Sequence, residues 1–392
     1  MSEKFVVGGG EGSPAVRPKV ALTEAQQREM IEMQNATPKQ EQTEILQRFA
    51  GLGLGIATLL TENVLSHPFI VFRRQCQVNH HAYRYHLQPF SVVQVIVNLQ
   101  RHQGMATMWK GLGSAFVIQG ISLGSETVIS EVTPLVKEIH VYSTIKQLFG
   151  HLALKAMTAA ITMPFFSASL VEAVQSDIAS ERPGVFDCIK EGLYRLFGWG
   201  WGIPQTSNLL PMYTLLLPTV LHSLLRYILA GMVQFVLLQV MKRTREHRQC
   251  QKAAIEGASY QEPERSVMEE YYPELVAKLA GNLISDAILY PLETVALRLH
   301  LQGTRTIIDN TDYGYGVVPI STRYGGFLEC WAAIVAEEGR AGLYKGFGAL
   351  VLQYALHAAI LKALRVTFTK LAEEFNVGIK KEPPSQTDSQ SK

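Results

Sequence analysis

Long uncharged runs alternate with short polar stretches along this chain, and that alternation predicts helices rather than strands. Phe49 to Thr61 carries no charge, and Glu62 alone interrupts an apolar stretch ending near Ser66. Residues 111–125 (GLGSAFVIQGISLGS) and 156–171 are uncharged as well. Leu196 to Leu225 lacks Asp, Glu, Lys and Arg, Tyr227 to Met241 adds a second such run, and Phe347 to Leu361 is the last. Between them, 272–290 is apolar on one face, with Lys278 and Asp286 interspersed. A membrane-crossing helix needs about 20 mostly apolar residues. Six spans are expected, at about 47–67, 111–130, 148–166, 209–240, 272–291 and 346–368. The fourth, at roughly 48 Å, exceeds a perpendicular crossing. Pro211 and Pro218 predict that it starts irregularly or tilts.

Taken singly, several of these runs fit core helices of a soluble α-protein. Glycine spacing favours lipid. Gly51, Gly53 and Gly55, then Gly113, Gly120 and Gly124, are costly in exposed helices but allow backbones to approach closely within a bilayer.

Composition agrees, with 47% hydrophobic and 18% charged residues, against about 25% charged in ordinary soluble domains. A net charge of +2 argues against nucleic acid as a partner. Cys76, Cys188, Cys250 and Cys330 show no CxxC spacing, which predicts neither a disulfide framework nor a zinc site. Residues 1–45 and 376–392 are polar and are expected as disordered tails around a folded body at 46–375, with a polar loop at 243–270. The first 45 residues contain no apolar signal core, and Glu24, Glu29, Glu32, Glu41 and Glu44 speak against a cleavable presequence.

An internal repeat organises the spans. Pro68, Pro164 and Pro291 each stand near the end of an odd-numbered span and are expected to kink and end it. Trp109-Lys110-Gly111 follows the first proline and Tyr344-Lys345-Gly346 the third, preceded by Gln103-Gly104 and Glu338-Gly339. Three pseudo-repeats result, at approximately 46–132, 146–242 and 271–370. Each reads as span, proline break, polar loop with a short helix, glycine step and span. The fold class is an all-α membrane protein of six transmembrane helices.

Pro291-Leu292-Glu293-Thr294-Val295-Ala296-Leu297-Arg298, followed by Glu338-Gly339 and Tyr344-Lys345-Gly346, resembles the signature of the mitochondrial carrier (solute carrier 25) family. RFAGLGLGIATLLTENVLSHP, RRQCQVN and LQGTRTIIDNTD resemble an outer-mitochondrial-membrane branch of it. In that family the acid and first base of each signature form a ring of salt bridges that closes the central cavity. Here Ile70 and Phe166 stand at acid positions, and Ser169 and Ala296 at base positions. The resemblance implies that the survivors, Arg73 and Glu293, are partners, and leaves Arg298 to snorkel or meet phosphate. The opposite gate is also depleted: span two ends in Ser130-Glu131-Val132-Thr133-Pro134 and span six in Phe368-Thr369-Lys370. Ala349 and Gln353 replace the family's usual proline and arginine.

The resemblance therefore implies a non-enzymatic, multi-pass protein of the mitochondrial outer membrane that has lost metabolite exchange. It further implies a scaffold or adaptor in mitochondrial dynamics, acting in fission–fusion balance and in cristae and lipid organisation. The expected partners are the lipid bilayer, mitochondrial fusion, fission and cristae-organising proteins, and phospholipid headgroups. A rival reading is a solute or lipid transporter of altered specificity, using Gln119, Glu126, His222, Arg226, Gln353 and His357 around the cavity. No cofactor and no metal are expected. His80, His81 and His86 with Tyr83, Arg84 and Tyr85 suit a membrane-interface loop, arginines toward phosphates, better than a metal site. Phe197-Gly198-Trp199-Gly200-Trp201-Gly202 reads as an interfacial turn or an aromatic knob. The insertion 304–316 (TRTIIDNTDYGYG) loosely resembles a calcium loop but lacks its glycine and terminal glutamate. As an insertion it is a candidate for partner contact.

Overall fold

The computed structural model describes residues 55–138, 144–178, 184, 186–197, 209–256 and 267–379. Nine helices are labelled here among them. Six are long and apolar enough to cross a membrane: α1 (Gly55–Val78), α3 (Leu112–Val132), α4 (Ile145–Val174), α6 (Met212–Glu256), α7 (Val267–Leu301) and α9 (Phe347–Ile379). Three short ones, α2 (Pro89–Gln103), α5 (Asp187–Phe197) and α8 (Phe327–Glu337), each join an odd span to the next even one and so share one end of the bundle. The only sheet among the described residues pairs β1 (Ile307–Asp309) antiparallel with β2 (Val317–Pro319), Ile308 opposite Val318. Residues 1–54, with Gly51 and Gly53, residues 380–392 and the 198–202 aromatic stretch lie outside the described residues.

Hydrogen bonds reveal the repeat more sharply than the motifs do. His67 and Tyr290, each just before its proline, donate to the carbonyls of Lys110 and Lys345 at 2.9 and 2.7 Å. Lys110 Nζ donates to Gln175 O at 2.8 Å, and Lys345 Nζ to Asn79 O at 2.9 Å. Each lysine thus caps the odd helix of the following repeat in cyclic order. Gly111 and Gly346 hold φ values of 69° and 82°, the left-handed region where a Cβ is penalised. A Cβ would also lie 2.9 Å from Ala173 Cα or 2.8 Å from Cys76 Cβ, respectively.

Several expectations need correction. The helix runs on past Pro164 to Val174 and past Pro291 to Leu301, so these prolines do not end their spans. At Pro68 the span does break, at Ser66, and the proline sits in the first turn of the segment His67–Val78. Proline removes one backbone donor and frees the carbonyl four residues earlier. At Pro68 that carbonyl belongs to Val64, and the Trp109 indole N–H donates to it at 2.9 Å. Upstream, Thr61–Leu65 forms a π-turn. The stretch read as a polar loop, 243–270, is helical through Glu256 and again from Val267. The last helix likewise runs past the boundary expected at 375, to Ile379. Gly55, Gly120 and Gly124 seat no neighbouring backbone, because an added Cβ would meet nothing within 4 Å. A tight crossing occurs instead at Gly281, where a Cβ would lie 2.6 Å from Ala230 O of α6.

The buried apolar core concentrates at the end bearing the short helices. Met163, Met212, Val295, Leu299, Cys330 and Ile334 form one cluster. Val78, Leu170, Val174, Leu297, Leu301 and Ile308 form another. Elsewhere the spans turn Leu59, Leu123, Leu217 and Phe235 outward, an arrangement suited to surrounding acyl chains.

Candidate functional site

The odd-helix signature positions converge at the core end of the bundle. Arg73 Nη2 of α1 donates to Glu293 Oε1 of α7 at 3.1 Å, with both side chains largely buried. Gln77 Nε2 shares the site, 3.2 Å from both Glu293 Oε2 and Thr294 Oγ1. The other positions of the would-be ring are absorbed by static packing. Phe166 places its ring 5.8 Å from the Arg74 guanidinium and 5.5 Å from the His300 ring. Ser169 Oγ lies 3.0 Å from Ser114 Oγ of α3, and Ala296 is buried. Ile70 is half-buried.

Arg298 neither snorkels nor meets phosphate. It is 1% exposed, makes a two-point ion pair with Glu338, and donates through Nε to Gln77 O at 2.9 Å. Lys345 Nζ joins the same carboxylate at 2.6 Å. Burial by itself would raise the Glu338 carboxyl, but Arg298 and Lys345 hold it below the usual carboxylate value. The two halves of the third signature are thereby folded onto each other, with α8 clamped against α7.

The proposed cavity set is largely tied between helices. Gln119 Nε2 donates to Asn63 Oδ1 at 2.6 Å, joining α3 to α1. Glu126 accepts from Lys155 at 2.8 Å, joining α3 to α4. Arg226 of α6 forks onto Asp286 of α7, which also accepts from Tyr354 of α9 at 2.7 Å. Gln353 Oε1 and His357 Nε2 are buried without a hydrogen-bond partner, and His222 is half-buried. Sequence reasoning missed His300, whose ring lies 2.7 Å from Ser167 Oγ of α4 and 2.9 Å from Thr219 Oγ1 of α6. One imidazole of α7 thus touches two further spans. A histidine between Leu299 and Leu301 was the available signal, but its partners have no motif.

The insertion is not a free arm. Asp309, Thr311 and Asp312 are buried. Asp309 accepts from Lys110 Nζ at 2.5 Å, Gln75 Nε2 at 2.8 Å and Gln103 Nε2 at 3.0 Å. Burial favours protonation of Asp309, yet Lys110, Ser176 and Gln103 hold its carboxyl below its ordinary value. Asp312 accepts from the Arg84 backbone N–H at 2.8 Å, and Thr311 Oγ1 accepts from Asn79 at 2.9 Å. With N–H donors filling these carboxylates, the segment is no calcium loop. No group of metal-ligating side chains occurs among the described residues. The histidine loop packs partly against this segment, while His81, Tyr83 and Arg84 remain exposed. His86 Nε2 donates to Thr311 O at 2.8 Å, and Arg84 stacks 5.0 Å from the Tyr313 ring. Burial and the neighbouring His81 push His80 down to about 4.

Comparison with known proteins adds family and compartment. The family described as mitochondrial carrier protein matches residues 269–374. Over 340 residues the chain is 49% identical to "Mitochondrial outer membrane protein SLC25A46" of Danio rerio, covering 87% of this chain and 82% of that one. A human protein of the same name is 49% identical over 335 residues, covering 85% and 78%. The "Solute carrier family 25 member 46-B" of Xenopus laevis is 48% identical over 330 residues, covering 84% and 78%.

Proposed function

This chain belongs to the mitochondrial carrier family, as a multi-pass protein of the mitochondrial outer membrane, and on that premise we propose that it is a scaffold, not an exchanger. The observation that carries this reading is the use made of the signature positions. One ion pair, Arg73–Glu293, holds α1 to α7, while Phe166, Ser169 and Ala296 sit in packing contacts that offer no alternative partner of matched strength. Alternating access requires two closed states of similar stability, separated by pairs that break and re-form. A bundle whose polar residues tie neighbours together favours one state.

The proposed role is that of a non-enzymatic adaptor in mitochondrial dynamics. The bundle is a fixed anchor in the bilayer, and partners that balance fission against fusion, or organise cristae and lipids, engage what protrudes from it. The strap at 304–316 serves the bundle's interior, so deleting it would remove buried contacts rather than expose a partner site. Exposed Arg305, Tyr313 and Tyr315 are open to other molecules.

A second reading, transport of a solute or lipid headgroup, is favoured by one observation, the unpartnered buried atoms of Gln353 and His357. Uptake by the purified chain in liposomes separates the two. The scaffold reading expects rates equal to protein-free vesicles across carboxylates, nucleotides and labelled phospholipids. Saturable uptake abolished by Arg226→Ala would establish the rival.

A further inference from the structure

The first and third repeats can be laid over one another residue by residue. Seven positions after Pro68 and Pro291 stand Gln75 and Arg298, and seven before Lys110 and Lys345 stand Gln103 and Glu338. In the third repeat one carboxylate, Glu338, receives Arg298 and Lys345. In the first repeat the acid has become Gln103 and the arginine Gln75, yet Lys110 keeps its ammonium, largely buried at the same place. A buried ammonium without a counter-charge is strongly disfavoured.

We propose that Asp309 is a relocated signature acid: the insertion of the third repeat reaches across to the first and supplies the carboxylate that Gln103 has lost. The geometry reproduces the intact site. Lys110 meets Asp309 Oδ2 at 2.5 Å, where Lys345 meets Glu338 at 2.6 Å. Gln75 takes the place of Arg298, donating to Oδ2 at 2.8 Å and to Val174 O at 3.1 Å. Gln103, now an amide, donates to Oδ1 at 3.0 Å, a contact that a glutamate could not make. Second-repeat backbone completes the tie: Ser176 N donates to Ile307 O at 2.8 Å, and Gln175 bridges Ile308. The Asp309 carboxylate therefore ties the third repeat to the first and, through Lys110 and Gln75, to the second, whereas the Glu338 carboxylate pairs with Arg298 and Lys345 of its own repeat. Parting the odd helices at this end requires the strap to let go, so 304–316 is a latch that holds the bundle closed. This inference is independent of the scaffold reading, since a transporter could carry the same latch.

The test is a rescue. In the full chain purified in detergent, Asp309→Asn is expected to lower Tm by about 5 °C and to speed alkylation of buried Cys76 roughly tenfold, followed by mass spectrometry of that peptide. Gln103→Glu alone places a second carboxylate beside Asp309 and is expected to destabilise. Combined with Asp309→Asn, it restores the acid to its signature position and should recover both readouts. If Asp309→Asn fails to accumulate as folded protein, recovery of folded yield in the double variant is the supporting result. An Asp309→Asn protein unchanged in Tm and alkylation, or a defect that Gln103→Glu leaves in place or deepens, overturns the proposal.

Discussion

Arg298 and Glu338 face each other in a two-point ion pair, their side chains 1% and 7% exposed. One lies on the last turns of α7 and the other caps α8, so the pair decides how the short helix docks. Removing one partner of a buried pair leaves the other charge stranded. Glu338→Gln is expected to cost about 3–5 kcal/mol, read as a lower Tm in detergent. Replacing Arg298 and Glu338 alone with apolar residues would still strand Lys345, so the replacement that should cost distinctly less is the triple one that includes Lys345.

The same chemistry predicts the pH dependence. Glu338 and Asp309 have carboxyls held below their ordinary values. The stability they contribute is present above the unfolded carboxylate pKa and is lost as pH falls through the folded value. His80, pushed down to about 4 from 6.5, and His86, also lowered by burial, stay neutral when folded. The unfolded chain therefore takes up their protons first. Tm is expected to be level above about pH 7, to fall as pH drops below 6.5, and to fall further below 4.5. His80→Gln should remove part of the first decline, as thermal melts across pH would show.

At the Arg73–Glu293 pair, charge reversal is the discriminating change. Glu293→Arg and Arg73→Glu are each expected to destabilise, and their combination should recover by roughly 1–3 kcal/mol relative to additivity. Additive losses in a thermal double-mutant cycle would mean that the pair does not fasten α1 to α7.

Two glycines give a contrast that backbone geometry dictates. Gly346→Ala meets both a positive φ and the Cys76 side chain at 2.8 Å, and is expected to cost about 2 kcal/mol or more. Gly124→Ala meets open space and should leave Tm unchanged or slightly raised. Folded yield and melting of the two variants check this directly.

What could be read from the sequence was whatever repeats. Six apolar runs give six long helices, because length and hydropathy are local properties. Arg73 and Glu293 are visible since each occupies a signature position with its own charge intact. Asp309 is not visible, because Lys110 lies 199 residues away and no period links an insertion to another repeat. Arg298 reads as an interface residue because a single sequence does not distinguish a snorkelling arginine from a buried one until its acid is located in space. At Pro68 the helix breaks as its sequence suggests and Trp109 takes up the freed Val64 carbonyl, whereas Pro164 and Pro291 lie inside continuous helices.

Together these contacts hold the short-helix end shut. Distances between spin labels at Tyr83, Phe186 and Leu328, one exposed site beside each short helix, measure it most directly. Cys250, the exposed cysteine, is replaced by serine, and double electron–electron resonance is recorded in lipid nanodiscs. The account predicts one narrow distance population for each pair, unchanged by added solutes or headgroup analogues. A second, wider population, or one drawn out by a solute, would contradict it.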